Sequence, residues 1–438
     1  MNNPSSRFLY HLLSPLYGLC AVLSLLGPVD ARGATYYVAT TGNDSNPGTL
    51  SRPFKSFKQA IGLLQPGDTL YIRGGTYTEQ LDFQGPNKSG TANGWITVAG
   101  YPGETVISQF AGGIAYSYGP IKARGNRGYF IFENLILDGI NGAYSSGLQI
   151  RDGNHHFILR NVEFKNFQMS AMMIKASNVQ IINCKIHDSV VDTVQDPPSR
   201  RYGIYLSSGD TVIIEGNNIY NNPGGGITVY PGPVHNAVIR NNVIHHNNWM
   251  ANSNVPGIQL SPVLDHPTAN GNGVIDGTQI YNNVVHSNCV NQPTGSKPCG
   301  GIEISNGATN TKVWNNTVYG NKGYGIRVAS GSNGPTVNTV VQNNIVFENA
   351  SGQIMNTGVD SIITHNLTTD PKFVKVETFD FRLQARSPAI DAGTDLNMVS
   401  VDIKNVSRPQ GAAYDIGAYE GSVSGDSSPD TPKDLSLR

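Results

Sequence analysis

The chain reads as all-β: a right-handed parallel β-helix with an amphipathic helix capping its N-terminal end and an irregular cap at its C-terminal end. One phrase recurs along its middle: two apolar residues, one or two Asn, another apolar residue, a short polar turn, then Gly-φ-x-φ, where φ is apolar. VIRNNVIHHNN leads to GIQL, TQIYNNVVHSN to GIEI and TKVWNNTVYGN to GIRV. The first Asn falls at Asn134, Asn161, Asn183, Asn241, Asn282, Asn315 and Asn343, with Gly216 in the same slot, so the steps are 27, 22, 33, 25, 41, 33 and 28 residues. A floor of about 22 with irregular excess marks a solenoid whose coils carry loops of unequal length.

Within each coil, apolar residues alternate over short runs, such as Ile204 and Leu206 or Ile302 and Ile304. Alternation sends them to one face, and the β-branched content favours strands. A lone coil cannot bury that face, but coils stacked about 4.8 Å apart bury a continuous column. The recurring Asn suits a tight corner because it tolerates left-handed backbone angles, and stacked carboxamides can hydrogen-bond from rung to rung. Gly accounts for 50 of 438 residues.

Residues 1–31 have the pattern of a secretory signal, with Arg7 ahead of the apolar stretch LLSPLYGLCAVLSLLG and small-residue cleavage sites near Ala31. No other segment is long and apolar enough to span a bilayer. Export leads us to expect a disulfide between Cys289 and Cys299, closing an inserted loop and contributing on the order of 3 kcal/mol. Cys184 is expected to be an inert corner or core thiol. Residues 32–110 form the N-terminal cap and first coils. There Ser56 begins a capping box with Gln59, and Phe57, Ala60, Ile61 and Leu64 form one helical stripe that Pro66 and Gly67 terminate. The coils run over 111–369, a C-terminal cap over 370–421, and a polar tail expected to be disordered over 422–438.

The opening YYVATTGNDSNPGTLSRPF…PGDTLYIRGGTY and the closing SPAIDAG…DIGAYE resemble a large group of bacterial exported right-handed β-helix proteins. That group includes polysaccharide lyases of the β-helix pectate lyase, chondroitinase B and alginate lyase types, together with uronate epimerases. The resemblance implies fold and export, and makes an acidic polysaccharide the expected partner. The Asp-Pro-His-Asp string of the epimerases and the Asp-Asp-Gly-x-Asp calcium cluster of the related pectate lyases are missing from this chain.

Aligning the Gly-φ-x-φ strands gives two outward columns. The first holds Gln149, Met173, Tyr205, Thr228, Gln259, Glu303 and Arg327; the second holds Arg151, Lys175, Ser207, Tyr230, Ser261, Ser305 and Ala329. Long loops at 188–202, 247–256 and 288–300 on one side and 262–277 on the other would wall a groove suited to a linear polymer. Arg151, Arg200, Trp249, Gln259, Glu303 and Arg327 are candidate substrate-binding residues, because Arg recognises carboxylates and aromatic faces pack on sugars.

β-Elimination on a uronate needs a cation at the carboxylate, a base, and a proton source for the departing oxygen. Lys175 and Arg201 are candidates for the first role, Tyr205 and Tyr230 for base or acid, and His245 for a base near neutrality. His187, His245 and His286 are placed at equivalent corners beside the groove. Asp188, Asp192 and Asp196, spaced by four on one loop, are the candidate ligands for a Ca²⁺ ion. The competing functions are a non-catalytic glycan-binding surface protein, a uronate epimerase and a glycoside hydrolase; the last needs two carboxylates where the first column offers only Glu303. With 30 basic and 31 acidic residues, the charge balance points to no nucleic-acid partner. A monomer, secreted or periplasmic, is expected.

Overall fold

A computed structural model describes residues 33–83, 88–110, 118–123, 125–140, 146–151, 153–190, 201–250, 253–264, 273–292 and 299–421. The leader expected over 1–31 and the tail over 422–438 lie outside these residues. Three long parallel sheets of twelve, ten and twelve strands run the length of the molecule. One coil contributes one strand to each sheet: Val212–Glu215 to the first, Asn218–Tyr220 to the second and Ile227–Val229 to the third. We call the third the groove sheet, because it carries the Gly-φ-x-φ strands.

The inward side chains of all three sheets merge into one apolar core running from Val38 to Val346. Where the first sheet turns into the second, Asn134, Asn161, Asn183, Asn241, Asn282, Asn315 and Asn343 all have φ between 48° and 57°, and Gly216 has φ 68°. The expected left-handed corner is therefore built at every repeat.

The rung-to-rung ladder belongs to the residue after that Asn. The Asn217 carboxamide nitrogen donates to Asn242 Oδ1, Asn242 to Asn283, Asn283 to Asn316, Asn316 to Asn344 and Asn344 to Asn366, each at 2.9 Å. A second ladder at the next corner links Asn222, Asn247, Asn288, Asn321 and Asn349. Each buried ladder amide thereby satisfies its neighbour. Cys184 heads the first ladder, its backbone N–H donating to Asn217 Oδ1 at 2.8 Å. The thiol is buried, and desolvation pushes its pKa up to about 12, which leaves it inert.

The N-terminal helix spans Phe57–Leu63, with Ser56 as its N-cap accepting from the Gln59 N–H. Glu79 accepts from the Phe57 and Lys58 N–H groups and completes the cap. Phe57, Ala60, Ile61 and Leu64 are all buried, as the stripe predicts, and Phe57 stacks on Tyr77 at 4.9 Å.

At the other end, the antiparallel pair Phe373–Lys375 and Asp380–Leu383 packs a second apolar cluster onto the helix flank. Arg408 locks this region to the coils. Its guanidinium donates to Glu420 Oε2 at 2.6 Å, to the Asp415 and Gly417 carbonyls, and to Asn282 Oδ1 in a coil. Among the described residues, no helix is long and apolar enough to cross a membrane.

Candidate active-site groove on the third sheet

The groove sheet is assembled from Ser146–Ile150, Met172–Lys175, Ile204–Asp210, Ile227–Val229, Ile258–Leu260, Ile302–Ser305 and Tyr324–Ala329. In each, the flanking apolar pair is buried in the core, which forces the residue between them outward. The register follows: Gln149 pairs with Met173, Met173 with Tyr205, Tyr205 with Thr228, Thr228 with Gln259, Gln259 with Glu303 and Glu303 with Arg327. The first outward column is thus a single line of side chains, and Met355 extends it by one rung.

The second column is less regular. A bulge in Ile204–Asp210 pairs Lys175 with Ser208 instead of the expected Ser207. The strand has an extra residue there because Gly209 and Asp210 go on to pair with Val234 and His235. Ser207, Ser261, Ser305 and Ala329 are buried, whereas Lys175 is exposed and Arg151 and Tyr230 are half-buried. The open part of this column therefore lies at its N-terminal end, beside Tyr205, whose ring sits 5.5 Å from that of Tyr202.

Two candidate residues stand elsewhere than expected. Arg201 is only 3% exposed, with Nη1 at 3.9 Å from Met250 Sδ. It is therefore buried where an open, substrate-facing cation was expected. His245 is not at a corner beside the groove but in Val243–His245, a strand of the second sheet. There His187, Tyr220, His245 and His286 are in register and stack nearly parallel, with ring centroids 4.7, 5.1 and 4.9 Å apart. Phe379 and Phe381 of the C-terminal region cover His286. Both His245 ring nitrogens are engaged, Nδ1 with His246 and Nε2 with Asn218 Oδ1.

Burial first, and neighbouring imidazoles second, hold His245 down to about 4 and His286 down to about 2. His187 moves the other way, because Glu163 and Asp188 outweigh its burial. The sign for His245 and His286 is that of a depressed base. Below about 6.5 the unfolded chain takes up protons that the folded stack refuses, so their contribution to stability is lost as the pH falls. Phe347 holds the same register position further along this sheet. His286→Phe is accordingly expected to reduce the loss of stability between pH 7 and pH 5 by roughly 2 kcal/mol, or about 1.4 per pH unit below the unfolded pKa. Urea midpoints at the two pH values check this; equal losses in parent and variant would show that His286 takes up its proton freely in the folded protein.

Trp249 donates from Nε1 to the Asn221 carbonyl at 3.4 Å, which sets it at the corner where the second sheet gives way to the groove-side loop. Asp192, Asp196 and Arg200 lie outside the described residues. Asp188 spends one carboxylate oxygen on His187 Nδ1 at 2.7 Å and the other on the Asn221 carboxamide. Among the described residues, no group of three His, Cys, Asp or Glu side chains is arranged to hold a metal ion. Asp188, one of the three residues expected to hold Ca²⁺, has both oxygens engaged on the second-sheet side.

A depression of about 360 Å³ opens further along the groove sheet, lined by Asn254, Gly300, Ile302, Glu303, Gly323, Tyr324, Arg327 and Ser351. Glu303 Oε2 and Arg327 Nη1 are 3.1 Å apart within it. The disulfide Cys289–Cys299 ends one residue before Gly300. The sequence pattern did not single out Tyr324, which stands just before the Gly of GIRV; its place at the start of that strand was the available signal.

The family of the Pel9A-like, right-handed β-helix region matches residues 36–333. This chain belongs to that family. The Pel9A-like chain is 27% identical over 414 residues to pectate lyase L of Dickeya dadantii, covering 88% of this chain and 90% of that protein. It is 28% identical over 224 residues to pectate lyase PEL9 of Emericella nidulans, where the match spans 53% of the relative, about half its length. Among solved structures, pectate lyase Pel9A superposes with a TM-score of 0.60 at 21% identity, covering 89% of this chain and 97% of that one. A rhamnogalacturonan lyase superposes at 0.56 and 16%, covering 79% and 92%. The structural likenesses establish the fold, and the family match makes this a polysaccharide-lyase-like, carbohydrate-active protein.

Proposed function

We propose that this protein is exported, binds an acidic polysaccharide along the groove sheet and cleaves it by β-elimination. The observation that carries the reading is the register-locked column through Tyr205, with Lys175 exposed on the neighbouring strand and Arg151 half-buried one strand further on. The Lys175 ammonium neutralises the uronate carboxylate and so acidifies the proton on the adjacent ring carbon. Tyr205, on the strand next to that of Lys175, acts as the base in its phenolate form and accepts the proton through its phenolic oxygen. The electron pair forms a carbon–carbon double bond as the bond to the glycosidic oxygen breaks, and Tyr230, two residues beyond the Tyr205 partner Thr228, returns a proton to that oxygen.

The relatives named as pectate lyases support the substrate class. A binding-only reading draws on one observation: Glu303, the sole acid of the first column, is already paired with Arg327. Incubation of the purified protein with polygalacturonate, alginate and glycosaminoglycans separates the readings. Rising ultraviolet absorbance from unsaturated chain ends is expected with at least one of them. Retained binding without absorbance or new reducing ends would leave the binding-only reading, and no binding to any acidic glycan would remove the groove assignment.

A further inference from the structure

We infer that Trp95, Tyr129 and His156 form a second carbohydrate site, outside the groove, on which the rings of a neutral, β-linked polysaccharide stack. The site lies at the corner where the groove sheet gives way to the first sheet, between Tyr118–Lys122 and Gly128–Glu133. None of its residues belongs to either outward column of the groove, so the inference goes beyond the reading of that surface.

The backbone singles this corner out. Phe130 pairs with Phe157 and Phe157 with Val179, so Tyr129, His156 and Asn178, each one residue earlier, share one position in successive coils. Further along the solenoid the same position holds Thr211, Asn236, Gly277, Asn310 and Asn338. All eight residues have φ between 52° and 67°, with Tyr129 at 61° and His156 at 55°. Asn and Gly suit that conformation, whereas a bulky ring there is strained. Two consecutive aromatic residues in a slot that elsewhere favours Asn point to a use for the rings themselves.

The rings make a built surface. Tyr129 and His156 stack with centroids 4.5 Å apart and planes 25° apart. Trp95, which precedes the Phe130 partner Ile96, stands across the pair at 86° to Tyr129 and 72° to His156. Neither ring is stacked on the indole, so an indole face is left for a ligand. All three side chains are part-exposed. His155 fixes the arrangement. Its Nδ1 lies 2.8 Å from His156 Nδ1, and its ring fills the space over Gly128, where a Cβ would stand 2.3 Å from His155 Cε1. Burial first, and the His155 charge second, hold His156 below the usual imidazole range, so it is uncharged at neutral pH. The three rings thus offer a carboxylate no counter-charge. They suit a pyranose with equatorial substituents, whose C–H face is unbroken, while the indole N–H and phenol O–H are donors for its hydroxyls.

Calorimetric titration with cellohexaose, set beside hexagalacturonate, tests the site. The parent is expected to bind cellohexaose. Trp95→Ala and Tyr129→Asn are each expected to weaken that binding at least tenfold and to leave hexagalacturonate affinity within a factor of two. Because Asn is the usual residue at this corner, Tyr129→Asn and His156→Asn are expected to melt at or above the temperature of the parent. A parent that does not bind cellohexaose, or an affinity untouched by both Trp95→Ala and Tyr129→Asn, would overturn the second site. Equal weakening of both ligands would place cellohexaose in the groove and overturn it too. So would Asn variants that melt well below the parent, which would make the stack a packing feature. A parent dimer that Trp95→Ala separates would make the patch an interface between copies and overturn it as well.

Discussion

Tyr205→Phe is expected to slow the release of unsaturated chain ends by about 10²- to 10⁴-fold, the usual contribution of a positioned acid–base group, while leaving the melting temperature close to that of the parent. The substitution removes one oxygen and keeps the ring that lies 5.5 Å from Tyr202. The strand is set by its inward Ile204 and Leu206, which the change does not touch. Initial rates at saturating substrate and a thermal melt read the two quantities separately. A rate within a factor of three of the parent would remove Tyr205 from the chemistry. Lys175, exposed on the neighbouring strand, offers the matching test of the carboxylate-neutralising role, since Lys175→Met should raise KM as well as lower kcat.

Arg408→Met is expected to cost about 3–5 kcal/mol of stability, the range for breaking one partner out of a buried ion pair. Both side chains of the Arg408–Glu420 pair are fully buried, and burial lowers the Arg408 pKa and raises that of Glu420, so the charges are held only by their mutual attraction and hydrogen bonds. Without the guanidinium, the Glu420 carboxylate keeps only the Gln410 and Asp415 N–H groups, and Asn282 loses one of its two links to the C-terminal region, keeping the bond from its carboxamide nitrogen to the Val401 carbonyl. Urea unfolding should show the loss as an earlier transition, beginning with exposure of the residues around Phe373 and Phe381. A midpoint unchanged from the parent would mean that this clamp does not hold the end of the solenoid.

Much of the architecture was legible because the repeat is written in residue types with narrow roles. An Asn at each corner reported a left-handed backbone, and the alternation in GIYL or GIEI reported which residue faces out, so the Gln149-to-Arg327 column could be read directly. The amphipathic stripe from Phe57 to Leu64 and the Cys289–Cys299 pair were legible for similar local reasons. What alternation cannot report is which of three sheets an outward residue belongs to, and this is why His245 was expected beside the groove when it lies in a stack on the second sheet. Nor does it report what a loop lays over a residue: Arg201 looks like a free cation in sequence, and the contact with Met250 that helps bury it comes from a different coil. The Ser207 bulge depends on an extra strand pairing to Val234, and the Glu303–Tyr324–Arg327 depression draws its lining from several coils. Both are products of stacking, and no single repeat contains them.

The most direct test of the groove is a crystal structure of the Tyr205→Phe protein with an acidic oligosaccharide bound. The sugar chain is expected to run along the groove sheet between Gln149 and Arg327, with a uronate carboxylate at Lys175. An oligosaccharide lying instead across the second sheet, near the His187–His286 stack, would contradict the account.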